Sequence, residues 1–200
     1  MSVRFGCVVE GHGEREAVPV LIRRIAETVD PGLVVKIERP VRIPKSRLVK
    51  EGELERAVRL AALSISGNGA ILVILDSDDD CPAEVGPVLA GRVRSARPDL
   101  PSAVVLPKRE FEAWFLAAAE SLRGRRGLPE DLEPPAQPES VRGAKEWLSS
   151  RMVAHGYSET VDQPALTAAL DVNAARRADS FDKCYREVVR LLRELSRRDA

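Results

Sequence analysis

The chain has 200 residues, with 31 basic and 31 acidic side chains and an apolar fraction of 44%. That length supports one sizeable hydrophobic core, with or without a small appendage. The balanced charge gives no global drive toward nucleic acid, although it leaves room for a local basic patch. Three cysteines, Cys7, Cys81 and Cys184, show no metal-ligand spacing and no disulfide framework. No run of apolar residues is long enough for a membrane span, and the first residues lack the pattern of a secretion signal. A cytoplasmic protein is the expectation.

In chain order, residues 3–9 read as a short apolar strand ending at Glu10, and Gly11 and Gly13 mark a turn. Val18, Leu21, Ile22, Ile25 and Val29 recur at helical spacing. Because Pro19 fits best in a first turn, the helix is expected to begin near Glu16. Residues 33–42 predict a second strand, with Pro40 signalling an edge position or a strand end. Leu54, Ala57, Val58, Ala61 and Ile65 form a further helical stripe.

Residues 70–75 (AILVIL) are the most apolar segment, as expected of a central parallel strand covered on both faces. They run directly into Asp76-Ser77-Asp78-Asp79-Asp80. A weaker helix follows over 83–96, then a strand over 102–107 and a helix over 111–122 carrying Phe111, Trp114 and Phe115. Residues 123–140 are rich in Gly, Pro and charge and read as an exposed connection. From 141 onward only helices are predicted: one at 141–153, short pieces at 164–177, and a strong one at 181–195 with Ser180 as its N-cap.

The alternation predicts an α/β fold, a central and mostly parallel sheet flanked by helices, followed by an all-helical C-terminal extension packed on it. The expected division is 1–122, a linker over 123–140, and 141–200.

Every strand of a parallel sheet delivers its carboxyl end to one edge, where ligand sites collect. If the first and third strands are neighbours, Glu10 and Asp76 lie side by side, and Asp78 joins them if the chain stays extended. Such a cluster is costly without a cation, and Mg²⁺ (or Mn²⁺) suits oxygen ligands of this kind. A solvated turn of aspartates is the bland alternative. Glu14 and Glu16 follow the first turn and could complement a helix N-terminus; Glu14 is also close enough in sequence to reach the cluster, where it or Glu112 would orient or deprotonate water. Glu112 could be a further metal ligand or a general base on metal-bound water, Glu110 is equally placed by sequence, and Lys108 could neutralise a developing phosphate charge. The basic segment 39–50 (Arg39, Arg42, Lys45, Arg47, Lys50) could contact nucleic-acid phosphates.

Taken together, VVEGHGE, LVILDSDDDCP and REFEAWFLA, with Tyr157, Gln163-Pro164, Leu170-Asp171 and Asp179-Ser180-Phe181, make the chain resemble the DUF4276 family. The resemblance implies a Toprim-like fold, in which a Glu after the first strand and a later DxD coordinate Mg²⁺. Carried over, these are Glu10, Asp76 and Asp78. Glu14 matches the second acid of the VEGxxE stretch of OLD-like domains, and Glu112 the acid of the family's ExEAW segment. The expected function is divalent-metal-dependent phosphodiester hydrolysis or phosphoryl transfer on nucleic acid, in a defence or mobile-element setting. The alternative is a non-catalytic partner subunit of an ATPase, with a vestigial or nucleotide-binding site.

Overall fold

A computed structural model describes residues 2–48, 50–65, 67–153 and 155–198. Five parallel strands form one sheet: β1 (Ser2–Val9), β2 (Val34–Ile37), β3 (Val41–Arg42), β4 (Gly69–Ile74) and β5 (Ser102–Val105). The order is β2-β1-β4-β5, with β3 also pairing β1 on the β2 side. The helices are α1 (Glu14–Val29), α2 (Lys45–Leu48), α3 (Glu53–Ala62), α4 (Pro82–Ala96), α5 (Ala113–Ala117), α6 (Ala144–Ser149), α7 (Glu159–Ala169), α8 (Val172–Ala175) and α9 (Asp179–Arg198).

The unbroken apolar run of β4 is explained by the two-residue side-chain period of a strand. Ala70, Leu72 and Ile74 enter one core with α1, α7 and α9. Ile71, Val73 and Leu75 enter the other, with α3 and α4. The chain moves from β1 outward to β2 with α1 on the first face. It then returns through β3 and moves to β4 and β5 with α3 and α4 on the second. The direction of travel therefore reverses between β1 and β4. A reversal of this kind opens a crevice beyond the carboxyl ends of the two strands that flank it.

Several local expectations are corrected. The predicted strand 33–42 is two short strands, both against β1, because Pro40 interrupts the ladder between Ile37 and Val41. Helix α1 starts at Glu14, two residues before the expected point, so Pro19 lies inside it. The helix 111–122 is shortened to α5, and a 3₁₀ turn over Ala119–Leu122 follows. Residues 123–140 are not merely an exposed connection, since Leu128 and Leu132 are each 3% exposed and belong to the larger core.

Ser180 lies within α9 and does not cap it. Its hydroxyl accepts from Trp114 Nε1 (2.8 Å) and from the Lys108 N–H (3.2 Å). The Glu139 carboxylate accepts from the Asp179 and Ser180 amides (3.1 and 3.0 Å), satisfying the donors that open the helix. The C-terminal helices share the larger core with the sheet: Leu166, Phe181, Val188 and Leu192 pack in the same cluster as Phe5, Cys7 and Leu72.

Candidate active site: an acidic pocket at the switch point

The β1–β4 register pairs Val9 with Ile74, so the two strands deliver Glu10 and Asp76 to the sheet edge as near neighbours. Neighbouring strands lie about 5 Å apart. At the tip of β1 the chain turns through Gly11-His12-Gly13 into α1. The Glu14 side chain, 3% exposed, folds back on this turn and accepts from the Glu10 and Gly11 amides (2.9 and 3.2 Å). Gly13 is required here by close approach. A Cβ would stand 2.2 Å from both Gln163 Oε1 and the Glu159 carbonyl oxygen of α7.

Beyond β4, Asp76 Oδ1 accepts from the Phe111 N–H (2.9 Å), joining the post-β4 loop to the post-β5 loop. The two loops are joined again where Asp78 N–H donates to the Arg109 carbonyl (3.0 Å) and Arg109 N–H to Ser77 Oγ (2.9 Å). Asp78 and Arg109 both adopt positive φ, 50° and 68°. These are uncommon values for non-glycine residues.

Glu112, fully buried, stands at the start of α5. Its Oε1 accepts from Tyr157 Oη (2.8 Å) and Gln163 Nε2 (3.2 Å), and its Oε2 is buried without a partner among the described residues. Glu10 Oε2 is likewise buried and unpartnered among the described residues. Lys145 is the half-buried cation of this region. Its Nζ lies 2.7 Å from Glu159 Oε1, and its backbone N–H donates to Glu110 Oε2 (3.2 Å). Glu110 thus caps α6 and positions Lys145.

The electrostatics follow from this crowding. Burial pushes Asp76 well above the ordinary carboxylate range, and the charges of Glu14, Glu112 and Glu10 push it further, against the pull of Lys145. Burial raises Glu112 to about 7, with Lys145 and the Tyr157 hydroxyl opposing. Burial also raises Glu14 to about 7, although the Gly11 and Glu10 amides favour its anion. Glu10 is raised by burial and by Asp78, and lowered by Lys45 and the Asp76 amide. Burial alone would depress the Lys145 ammonium, but Glu112 and Glu159 hold it above its usual value. Four carboxylates that repel one another are thus offset by Lys145, with Lys45 acting on Glu10 from the rim.

Asp78 is more exposed and turned outward. Lys45 Nζ lies 2.6 Å from Asp78 Oδ2 and 3.4 Å from Asp80 Oδ2. Asp79 pairs with Arg109 and Arg142 (3.0 and 3.2 Å) at the rim. Among the described residues, no group of three or more His, Cys, Asp or Glu side chains stands at metal-ligating spacing. Glu16 lies on the first turn of α1 and enters none of these contacts. Lys108 opens onto a different pocket, beside Glu139, Arg177 and Asp179. In the basic segment, Lys45 and Arg47 are taken up by Asp78 and Glu53, which leaves less free charge there than its composition suggests.

No feature of the sequence marks Lys145 as a site residue. It is 33 positions beyond Glu112 and lies on a helix with no local chemical signature. Tyr157 and Gln163 were marked only by family resemblance. Their role depends on α7 packing against α1, which no short-range pattern reveals.

Fold and site together define a parallel-sheet α/β protein of Rossmann-like build, with a cluster of buried acids at its topological switch point. The chain belongs to the DUF4276 family, described as a domain of unknown function, whose model matches residues 9–188. Comparisons with curated proteins and with solved structures gave no match. No helix among the described residues is long and apolar enough to cross a membrane.

Proposed function

We propose that this acidic pocket holds a divalent cation, Mg²⁺ or Mn²⁺, and that the protein hydrolyses or transfers phosphodiester groups of nucleic acid in the manner of a Toprim-like domain. The observation that carries this reading is the pair of unpartnered buried oxygens, Glu10 Oε2 and Glu112 Oε2, in a four-acid cluster that Lys145 and, at the rim, Lys45 offset only in part. Buried carboxylates of this kind need a counter-charge, and hard oxygen donors suit Mg²⁺.

Glu10 and Asp76 would hold the ion, joined by Asp78 on release from Lys45. A bound cation of this type stabilises negative charge on a phosphoryl group and favours ionisation of water. Glu112 would take the proton of the attacking water on its free Oε2, a reading supported by the hydrogen bonds of Tyr157 and Gln163 to Oε1. A carboxylate that titrates near 7 is matched to that task at neutral pH. As the new P–O bond forms, the ester P–O bond breaks, the leaving oxygen takes a proton from solvent water, and Glu112 returns the proton it took to solvent. Glu14 holds the β1 turn and thereby positions Glu10. Lys145 offsets the charge that remains.

A specific observation favours the second reading, a non-catalytic partner of an ATPase with a vestigial site. Lys45 occupies Asp78, and no metal-spaced group is preformed among the described residues. Incubation of the purified protein with single- and double-stranded DNA and RNA in Mn²⁺ or Mg²⁺ separates the two. Cleavage by wild type and its loss in Glu112→Gln support the first reading. No cleavage by either protein, with Mn²⁺ or Mg²⁺, leaves the second.

A further inference from the structure

The formal charge of the whole chain is zero, yet its basic residues are not evenly spread. Two adjoining pockets run along α9 and share Arg190. Between them they are lined by Arg94, Lys183, Arg186, Arg190, Arg193 and Arg197, against only Glu187 and Glu194. Helical geometry accounts for the alignment. Arg186, Arg190, Arg193 and Arg197 follow i, i+4, i+7, i+11, which is one face of a straight helix. All four are exposed, while Phe181, Val188, Leu192 and Leu195 bury the opposite face.

The ion pairs show which charges are available. Arg186 is engaged by Asp182, and Arg190 by Glu187 and Glu194. Arg94, Lys183, Arg193 and Arg197 have no acidic partner among the described residues. The floor of the first pocket is the outer edge of β5, where Arg190 donates to the Ser102 carbonyl (2.8 Å). On the α4 wall, Gly86 and Ala90 are small and leave the trough open between Arg94 and Lys183. The 39–50 segment, where sequence alone places the basic contact, has Lys45 and Arg47 already bound to acids.

We propose that the α9 trough, with Arg94 across from it, is a nucleic-acid backbone-binding surface separate from the acidic pocket. From Arg186 to Arg197 the helix rises about 16 Å. Over that axial length one strand of a duplex presents about five phosphates. Arginine suits this role because its planar guanidinium meets phosphate oxygens in a two-pronged fashion. The charges carry no base readout, so the binding is independent of sequence. The inference rests on the preceding reading only for the choice of polyanion.

Fluorescence polarisation in EDTA tests it apart from any metal chemistry. The probes are a labelled 25-base-pair DNA duplex, the matching single strand, and an RNA duplex of equal length. The proteins are wild type, Arg193→Glu/Arg197→Glu, the charge-preserving Arg193→Lys/Arg197→Lys, and Arg39→Glu/Lys50→Glu as a control on the other basic segment. The expected result is wild-type binding at low salt to at least one probe, with the ranking of the three identifying the polymer. The Glu variant should lose tenfold or more and flatten the salt dependence by about two in log–log slope. The Lys variant should stay within about threefold and the 39–50 variant within about twofold. The proposal is overturned by absence of binding to all three probes or by equal affinity of the α9 Glu variant. It is also overturned by competition from poly-glutamate as strong as from DNA, which would point to an acidic protein segment. Failure here leaves cleavage at the acidic pocket to be judged separately, since no metal is present.

Discussion

The Tyr157 hydroxyl donates to Glu112 Oε1 across 2.8 Å, so a residue just before α7 fixes an acid that begins α5. The bond joins the C-terminal helices to the sheet edge. It also holds one oxygen of a fully buried carboxylate while the other stays free.

Tyr157→Phe removes a donor to a buried anion and leaves the ring in place. The Glu112 carboxyl should then titrate higher than about 7, because the hydroxyl favours its charged form. A loss of about 1–3 kcal/mol in urea unfolding is expected at pH 8. The loss should be smaller at pH 5, where Glu112 is already protonated. Equal losses at the two pH values would show that the bond does not act on the carboxylate's charge.

Stability without divalent metal should fall as pH rises. Glu14 and Glu112 titrate near 7 in the folded chain, above their ordinary 4.5. Between those values the folded chain binds more protons than the unfolded one, so the slope of stability against pH is negative. The contribution is full below about 4.5 and is lost as pH passes 7. For one uncoupled acid the change is about 3 kcal/mol. Thermal melts in EDTA from pH 5 to 8 should show the decline, and Glu112→Gln should flatten it.

The turn after β1 packs tightly on α7 at one glycine. Gly13→Ala places a Cβ 2.2 Å from the Glu159 carbonyl, a backbone atom that cannot rotate away. Helix α1 must shift from α7, and the turn after β1 that Glu14 holds must shift with it. Urea unfolding should register a loss of about 2 kcal/mol or more.

The start of α9 depends on a distant acid. Glu139→Ala removes the acceptor for the Asp179 and Ser180 amides, and a loss of about 1–2 kcal/mol is expected in the same assay. Ser180→Ala should act differently, by stranding the buried Trp114 Nε1–H, with a shift in tryptophan fluorescence as its mark.

The contrast between β4 and Ser180 shows what the sequence made legible. The run 70–75 announces a strand with two covered faces because burial alone dictates its composition. Its abrupt end in aspartates, and the end of β1 in Glu10, locate the ligand edge from local pattern. That the two strands are adjacent is shown by the β1–β4 pairing. Ser180 fits an N-cap by type and position, but its hydroxyl serves Trp114, 66 residues earlier, and Glu139 takes the cap. Lys145 was illegible for a similar reason. Its role is set by which carboxylates surround it after folding. Asp78 was expected to join Asp76 on an extended chain. Its positive φ and the Lys45 pair instead turn it outward.

Lys45 therefore makes a testable link between the rim and the pocket. Lys45→Ala frees Asp78 and removes one positive charge near Glu10. Mn²⁺ affinity at pH 7.5 should rise severalfold, read by the loss of free-ion electron paramagnetic resonance signal. Unchanged affinity would separate Asp78 from the cation.

The proposed function depends on a hard cation settling where the tips of β1 and β4 crowd their acids together. Mn²⁺ titration of wild type and Asp76→Asn at pH 7.5, followed by electron paramagnetic resonance, measures this most directly. Saturable binding to wild type and a loss of tenfold or more in Asp76→Asn are expected. Equal binding by the two proteins, or none by wild type, would contradict the proposed function.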